Sequence, residues 1–263
     1  MASQESRKTV KSVENAMEIL QELRVSDGAT VTELADRVGL TPGAVHTQLS
    51  TLRGYNMVKQ EGTTYMLGPE ALLFGERFTN THPLVTAGKG LVDELVSETE
   101  EVANLHVERD YRLYKLYERF GRDATARNFH INNRAQRSQF LHCTAAGKPI
   151  LANLPQKRID QFLDEHDLTE HTSNTITDTD ELRAELEQVR EQGYALDRGE
   201  ILNGVFAVGA AIRDETEAVI GTVGVVGPSA RFNGEYLHEE LPDLVTSVAN
   251  RIEINVQTGD VEL

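Results

Sequence analysis

Tryptophan is absent from the 263 residues, cysteine occurs once, and lysine is scarce at seven against nineteen arginines. The lone Cys143 has no partner for an internal disulfide, which fits a reducing compartment. No apolar run approaches the roughly 18–20 residues of a membrane span. The first ten residues lack the apolar stretch of a secretory signal, so a cytoplasmic protein without membrane contact is expected. Catalytic signatures are missing too: there is no C-x-x-C, H-E-x-x-H, G-x-S-x-G or P-loop. His106, His130 and His142 are scattered. His142 and Cys143, if adjacent on a strand, point to opposite faces and share a metal poorly. Asp197 and Glu200, three apart on an extended strand, likewise diverge. No catalytic residue, cofactor or metal is expected; a metal held by distant residues is the remaining alternative.

Positive charge is the other shortage. The net charge is −16, unevenly spread: residues 1–80 carry 10 acidic and 8 basic side chains, the rest 32 and 18. The acid therefore gathers in the C-terminal two thirds. An acidic, lysine-poor composition resembles proteins of very salty cytoplasm, and a halophilic source is expected. There the Debye length falls to about 3 Å or less, and repulsion from a polyanion is screened.

What is present is a clear order of elements. Val10, Val13, Met17, Leu20 and Leu23 recur at intervals of three and four, one face of a helix. Thr30-Val31-Thr32-Glu33 fits a capping box and starts a second helix, with Leu34, Ala35 and Val38 inward and Gly39 at its end. Thr41-Pro42 opens a third, with Thr41 as cap and Val45, Leu49 and Leu52 as its buried stripe. Residues 56–60 and 64–67 read as a hairpin turning at Gly62. Three helices and a hairpin in this order make a winged helix-turn-helix.

Domains are expected at 1–68 (winged helix), 69–83 (linker helix) and 84–263. The last begins with a helix over 84–100. Strands are predicted over 102–107, 111–120, 194–198, 204–212 and 218–226, and helices over 144–154, 158–165, 179–192 and 237–256. The overall class is α+β, with an α/β C-terminal domain built on a central sheet. On the second strand Tyr111, Leu113, Lys115 and Tyr117 alternate with charge. Pro149 is expected to kink the helix that starts at Thr144.

The N-terminal part contains Lys11-Ser12-Val13-Glu14-Asn15-Ala16-Met17, Thr32-Glu33-Leu34-Ala35, Gly39-Leu40, Gly54-Tyr55 and Tyr65-Met66-Leu67-Gly68-Pro69. The C-terminal part contains Thr144-Ala145-Ala146-Gly147-Lys148, Gly193 through Glu200, and Gly227-Pro228-Ser229-Ala230-Arg231. On these motifs, in this order, the chain resembles the IclR family of transcriptional regulators over nearly its whole length; Arg213 stands where that family usually has an aromatic or histidine. The resemblance implies a GAF-like effector domain, a homodimer or dimer of dimers, and control of metabolic genes.

On the third helix Gly43, Ala44, Thr47, Gln48 and Thr51 lie opposite the buried stripe, and His46 falls between the faces. Gln48 suits a bidentate contact to adenine in the major groove of double-stranded DNA, and Thr47 a phosphate or thymine methyl. Thr41, Arg53, Lys59 and Thr63 complete the candidates, with Arg7, Lys8, Lys11 and Arg37 as further phosphate contacts. One module reads too few bases, so a dimer on a near-palindromic operator is expected. Val10, Met17 and Leu20, with Leu72, Leu73 and Phe74, are the candidate dimer stripes.

For the effector, the resemblance assigns Ala145, Ala146, Asp197, Ala207, Gly224 and Val226. It implies backbone amides of Ala145 and Ala146 near a helix N-terminus for an anionic group, and Asp197 as an acceptor for ligand hydroxyls. Ala207, Gly224 and Val226 are apolar or bare, so a roomier, less polar pocket is expected, suited to a small-molecule acid with carbon bulk. The alternative is a C-terminal domain that only oligomerises.

Overall fold

The computed structural model describes residues 8–122, 124 and 141–259. Arg7 and His130 lie outside the described residues. The chain divides into two compact units, one ending at Phe78 and the other starting at Thr79. No described helix is long and apolar enough to cross a membrane.

In the first unit, α1 (Lys11–Val25) packs on α2 (Val31–Val38) and α3 (Pro42–Gly54). Ile19, Leu23, Leu34, Ala35, Val45 and Leu49 meet in one core. Each buried Val, Leu or Ile among them contributes about 1.5–3 kcal/mol by leaving water. The start of α2 is fixed by a reciprocal cap: Glu33 N–H donates to Thr30 Oγ1 at 3.3 Å, and Thr30 N–H donates to Glu33 Oε2 at 2.7 Å. Thr41 Oγ1 accepts from Ala44 N–H at the start of α3.

β2 (Val58–Glu61) and β3 (Thr64–Leu67) pair antiparallel with Glu61 opposite Thr64, leaving Gly62-Thr63 as a two-residue turn. A third strand, β1 (Ala29–Thr30), pairs with β3. Two residues have no period, which is why the sequence did not announce it. The unit is continued by α4 (Glu70–Asn80), which buries none of its side chains.

The stripe on α1 requires correction. Val10, Val13 and Met17 are exposed, while Ile19 and Leu23 are buried and Leu20 is half-buried. At about 100° per residue, the Val10/Val13/Met17 row lies more than a third of a turn, roughly 130°, from the Ile19/Leu23 row. The sequence pattern merged two faces.

The second unit centres on a five-stranded antiparallel sheet in the order β5-β4-β8-β7-β6. Its strands are β4 (Val102–Arg109), β5 (Arg112–Phe120), β6 (Tyr194–Arg198), β7 (Val205–Arg213) and β8 (Val219–Pro228). One face packs on α5 (Pro83–Thr99) and the closing helix α9 (Leu241–Thr258). α9 is preceded by a π turn over Tyr236–Glu240. The other face carries α6 (Gly147–Asn153), α7 (Gln156–Glu165) and α8 (Thr179–Gln192). Strand alternation sorts the faces: Leu196 joins the first core and Ala195 the second.

β5 departs from simple alternation. Its register against β4 steps from Leu105↔Tyr117 to His106↔Lys115, a bulge at Leu116. Tyr111 and Leu113 therefore pack with the α6–α8 side, while Leu116 and Tyr117 pack with the α5/α9 side. α6 also starts later than its sequence predicts, at Gly147. Thr144 accepts the Gly147 N–H on both its hydroxyl and its carbonyl. Pro149 then falls in the first helical turn, where its missing N–H breaks no intrahelical bond, so no kink is required.

Candidate DNA-binding and sensor sites

On α3 the buried Val45 and Leu49 turn the opposite face outward. Thr41, Gly43, His46, Thr47, Thr51 and Arg53 are exposed, and Ala44 and Gln48 are half-buried. His46, expected between the faces, stands on the exposed side. Thr47 and Thr51 donate their hydroxyls to carbonyls one turn back, Gly43 O at 2.9 Å and Thr47 O at 3.2 Å. Their oxygens remain able to accept.

Lys59 and Thr63 are exposed on the hairpin. Lys59 Nζ pairs with Glu61 at 2.8 Å, and Arg53 Nη1 donates to Gln60 Oε1 at 2.6 Å, joining α3 to β2. Exposed pairs of this kind are worth about 0–1 kcal/mol, so a phosphate can displace them. Lys8, Lys11 and Arg37 are also exposed.

The second unit holds a cavity of about 80 Å³ on the sheet face turned toward α6. All six residues singled out for an effector line it: Ala145, Ala146, Asp197, Ala207, Gly224 and Val226. The structure adds Asn104 and His106 from β4, Leu113 and Lys115 from β5, and Thr144, Ile201, Leu202 and Val205. These were missed because period-two alternation says which side chains share a face but not which strands become neighbours. The lining is mostly apolar, as expected, with the bare positions on β7 and β8 present and Asn104 and His106 of β4 adding an amide and an imidazole; the ammonium of Lys115 is paired with Glu118. The expectation of a roomier pocket is corrected by its small volume of about 80 Å³. Close approach of β7 to the 144–146 turn depends on Gly209, where a Cβ would lie 2.2 Å from Ala145 O.

Asp197 and Glu200 also differ from expectation. β6 ends at Arg198, so Glu200 is not on the strand. The chain turns back, and Glu200 N–H donates to Asp197 Oδ1 at 2.7 Å. Both are buried, as are His142 and Cys143, which lie on an irregular segment rather than a strand. Burial drives the His142 imidazole down to about 4, and Nε2 sits 3.3 Å from Thr169 O. Burial first, then Asp197 and Glu200, push the Cys143 thiol well above its usual range. Neither is primed as a nucleophile. Among the described residues no group of three or more His, Cys, Asp or Glu is placed to hold a metal ion.

Similarity to known proteins falls on both units. Residues 12–62 match the family "IclR helix-turn-helix domain", and residues 77–254 match "Bacterial transcriptional regulator IclR C-terminal". A relative from Halobacterium salinarum, "Probable HTH-type transcriptional regulator ArcR", is 36% identical over 95% of this chain and 95% of its own length. The "HTH-type transcriptional regulator BhcR" of Paracoccus denitrificans is 29% identical over 92% of this chain and 86% of its own. Among solved structures, an IclR regulator from Alicyclobacillus acidocaldarius superposes with a TM-score of 0.79 at 24% identity, covering 94% of this chain and 99% of its own. An IclR homologue from Microbacterium hydrocarbonoxydans, crystallised with 4-hydroxybenzoate, gives 0.78 at 19%, covering 93% and 98%. With a helix-turn-helix in one unit and a sheet-based domain in the other, each matched along most of its length, the chain belongs to the IclR family of DNA-binding transcriptional regulators.

Proposed function

We propose that this regulator reads a near-palindromic operator with α3 and its wing as a homodimer or dimer of dimers, and that a carboxylate-bearing small molecule in the second unit modulates it. The carrying observation is the outward face of α3: Gly43, Thr47 and Thr51 form an uncharged exposed strip, with Gln48 half-buried at its edge. Such a strip fits the major groove without charge repulsion, and Gln48 supplies the bidentate amide that pairs with adenine. Thr41, Ala44 and His46 border it; Arg53, Lys59 and Thr63 serve the phosphates. Dimerisation uses the exposed apolar side chains Val10 and Met17 of the first helix and Leu72, Leu73 and Phe74 of the linker helix, with half-buried Leu20 at the edge. Exposed apolar side chains on both helices are available to a partner.

For the effector, the apolar wall formed by Leu113, Ile201, Leu202, Val205 and Ala207 suits a carbon body. His106 and Asn104 suit an acid group and Asp197 a hydroxyl, while Lys115, paired with Glu118, adds positive charge at the edge. The 4-hydroxybenzoate found in the Microbacterium relative has this combination of groups. A thermal-shift panel of aromatic, sugar and keto acids tests the reading, since a ligand of the folded state raises Tm. The expected hit is an acid with an apolar body. No shift with any member favours the second reading, a domain that only oligomerises, which the small cavity volume also supports. The acidic composition and the Halobacterium relative support a halophilic source. Melting in stepwise-diluted salt tests it: stability is expected to fall, and undiminished stability in dilute buffer removes the idea.

A further inference from the structure

α3 carries a single lysine or arginine, Arg53, in its last turn. Arg53 lies about two helical turns beyond His46, on the same flank of the helix. The uncharged strip of Gly43, Thr47 and Thr51 is about a third of a turn away. With that strip toward the base edges, the Arg53 flank meets the sugar-phosphate wall of the groove.

The partner of Arg53 sets it apart. Two other basic side chains of this unit, Lys11 and Lys59, face carboxylates, Glu14 at 3.5 Å and Glu61 at 2.8 Å. Arg53 faces a neutral amide: its Nη1 donates to Gln60 Oε1 at 2.6 Å. A carboxylate there would cancel the charge that attracts a phosphate. An amide oxygen holds the guanidinium in place and leaves its charge whole.

The amide is itself held. Gln60 Nε2 donates to the carbonyl of Gly62, the first residue of the wing turn, at 2.8 Å. With a guanidinium on one side and a carbonyl on the other, the amide has one satisfactory orientation. Turned over, its NH2 would meet a donor and its oxygen an acceptor. The strand fixes where Gln60 points. It stands opposite Tyr65 on β3 and two residues beyond Val58, and both of those side chains are buried in the core. Strand alternation therefore puts exposed Gln60 at the rim of the face toward α3, and Lys59 and Glu61 on the other face.

We propose that Gln60 is a positioning residue for DNA binding: anchored to the wing turn, it presents Arg53, its charge undiminished, to a backbone phosphate beside the major groove. Gln60 engages one guanidinium N–H only, so the others can reach phosphate oxygens while the tie stays in place. A free arginine loses the rotamer freedom of a long side chain when it docks; one already held loses less. The inference rests on the reading above that α3 and the wing meet DNA.

The test is a double-mutant cycle on DNA affinity, measured by fluorescence anisotropy with a promoter fragment that the wild type retards in gel-shift assays. Gln60 and Arg53 are exposed, so Gln60→Met and Arg53→Ala are expected to keep the wild-type Tm. Arg53→Ala lowers the salt slope of binding by about one. Gln60→Met, which keeps length and removes the amide, weakens binding about three- to tenfold while Arg53 is present. In the Arg53→Ala background the same change alters affinity by less than about twofold. Equal weakening by Gln60→Met in both backgrounds overturns the proposal, because Gln60 then acts without Arg53. Wild-type affinity in Gln60→Met overturns it as well. An unchanged salt slope in Arg53→Ala also overturns it, yet leaves α3 as the reading helix where Gln48→Ala still weakens binding. No retarded fragment with the wild type removes the DNA reading and this inference together.

Discussion

Both units carry exposed ion pairs, but among the described residues only the second also buries charged side chains. In the first, the ion pairs Lys11–Glu14 and Lys59–Glu61 are exposed, and the core is wholly apolar apart from the Tyr65 hydroxyl. In the second, Lys148 and Glu200 are enclosed, and Glu101, 1% exposed, is bridged by Arg231. Exposed pairs contribute little to folding and stay available to a partner. Buried pairs are costly to desolvate, fix geometry, and are sensitive to loss of one member. The first unit is thus arranged to exchange its ionic contacts for DNA phosphates, the second to hold an internal arrangement.

This contrast breaks most visibly at Lys148. Lys148→Met leaves Glu185 and Glu200 without their cation and is expected to destabilise the second unit by about 3–5 kcal/mol in denaturant titration. A loss below about 1 kcal/mol erases the distinction between the units. Next in size is a pH effect. Because the folded-state affinity of Glu200 for a proton is raised, its stabilising contribution is complete below about pH 4.5 and is lost as pH rises through about 7. The unfolding free energy of the wild type, relative to Glu200→Gln, is expected to fall by roughly 2–3 kcal/mol between those limits. Parallel curves for the two proteins refute it. Smallest is Lys59→Ala on the wing: stability within about 0.5 kcal/mol of wild type, and a salt slope of DNA binding reduced by about one. An unchanged slope places Lys59 away from the phosphates.

Much of the first unit was legible because its signals are local. The Thr30/Glu33 box and the Thr41-Pro42 start name their own helices, and Val45 and Leu49 name the buried face of α3. Val10, Val13 and Met17 merge with Leu20 and Leu23 into a single face in the sequence, because an exposed apolar row and a buried one share the same period. In the second unit the strands were legible but their neighbours were not. Order β5-β4-β8-β7-β6 is a property of the whole sheet, so Asn104, His106 and Lys115 could not be placed beside Asp197 from spacing. The bulge at Leu116 reversed Tyr117 for the same reason. Glu200 was misplaced because an extended strand was assumed to run past Arg198, whereas Gly199 in the left-handed region turns it.

The account depends most directly on α3 meeting DNA through Gln48. Gel-shift titration of promoter fragments at native salt, with wild type and Gln48→Ala side by side, measures it. The expected result is a retarded band for the wild type and affinity weakened by about 1–3 kcal/mol in the variant at unchanged Tm. Equal affinity of the two proteins for the same fragment, or no retarded band with any promoter, contradicts it.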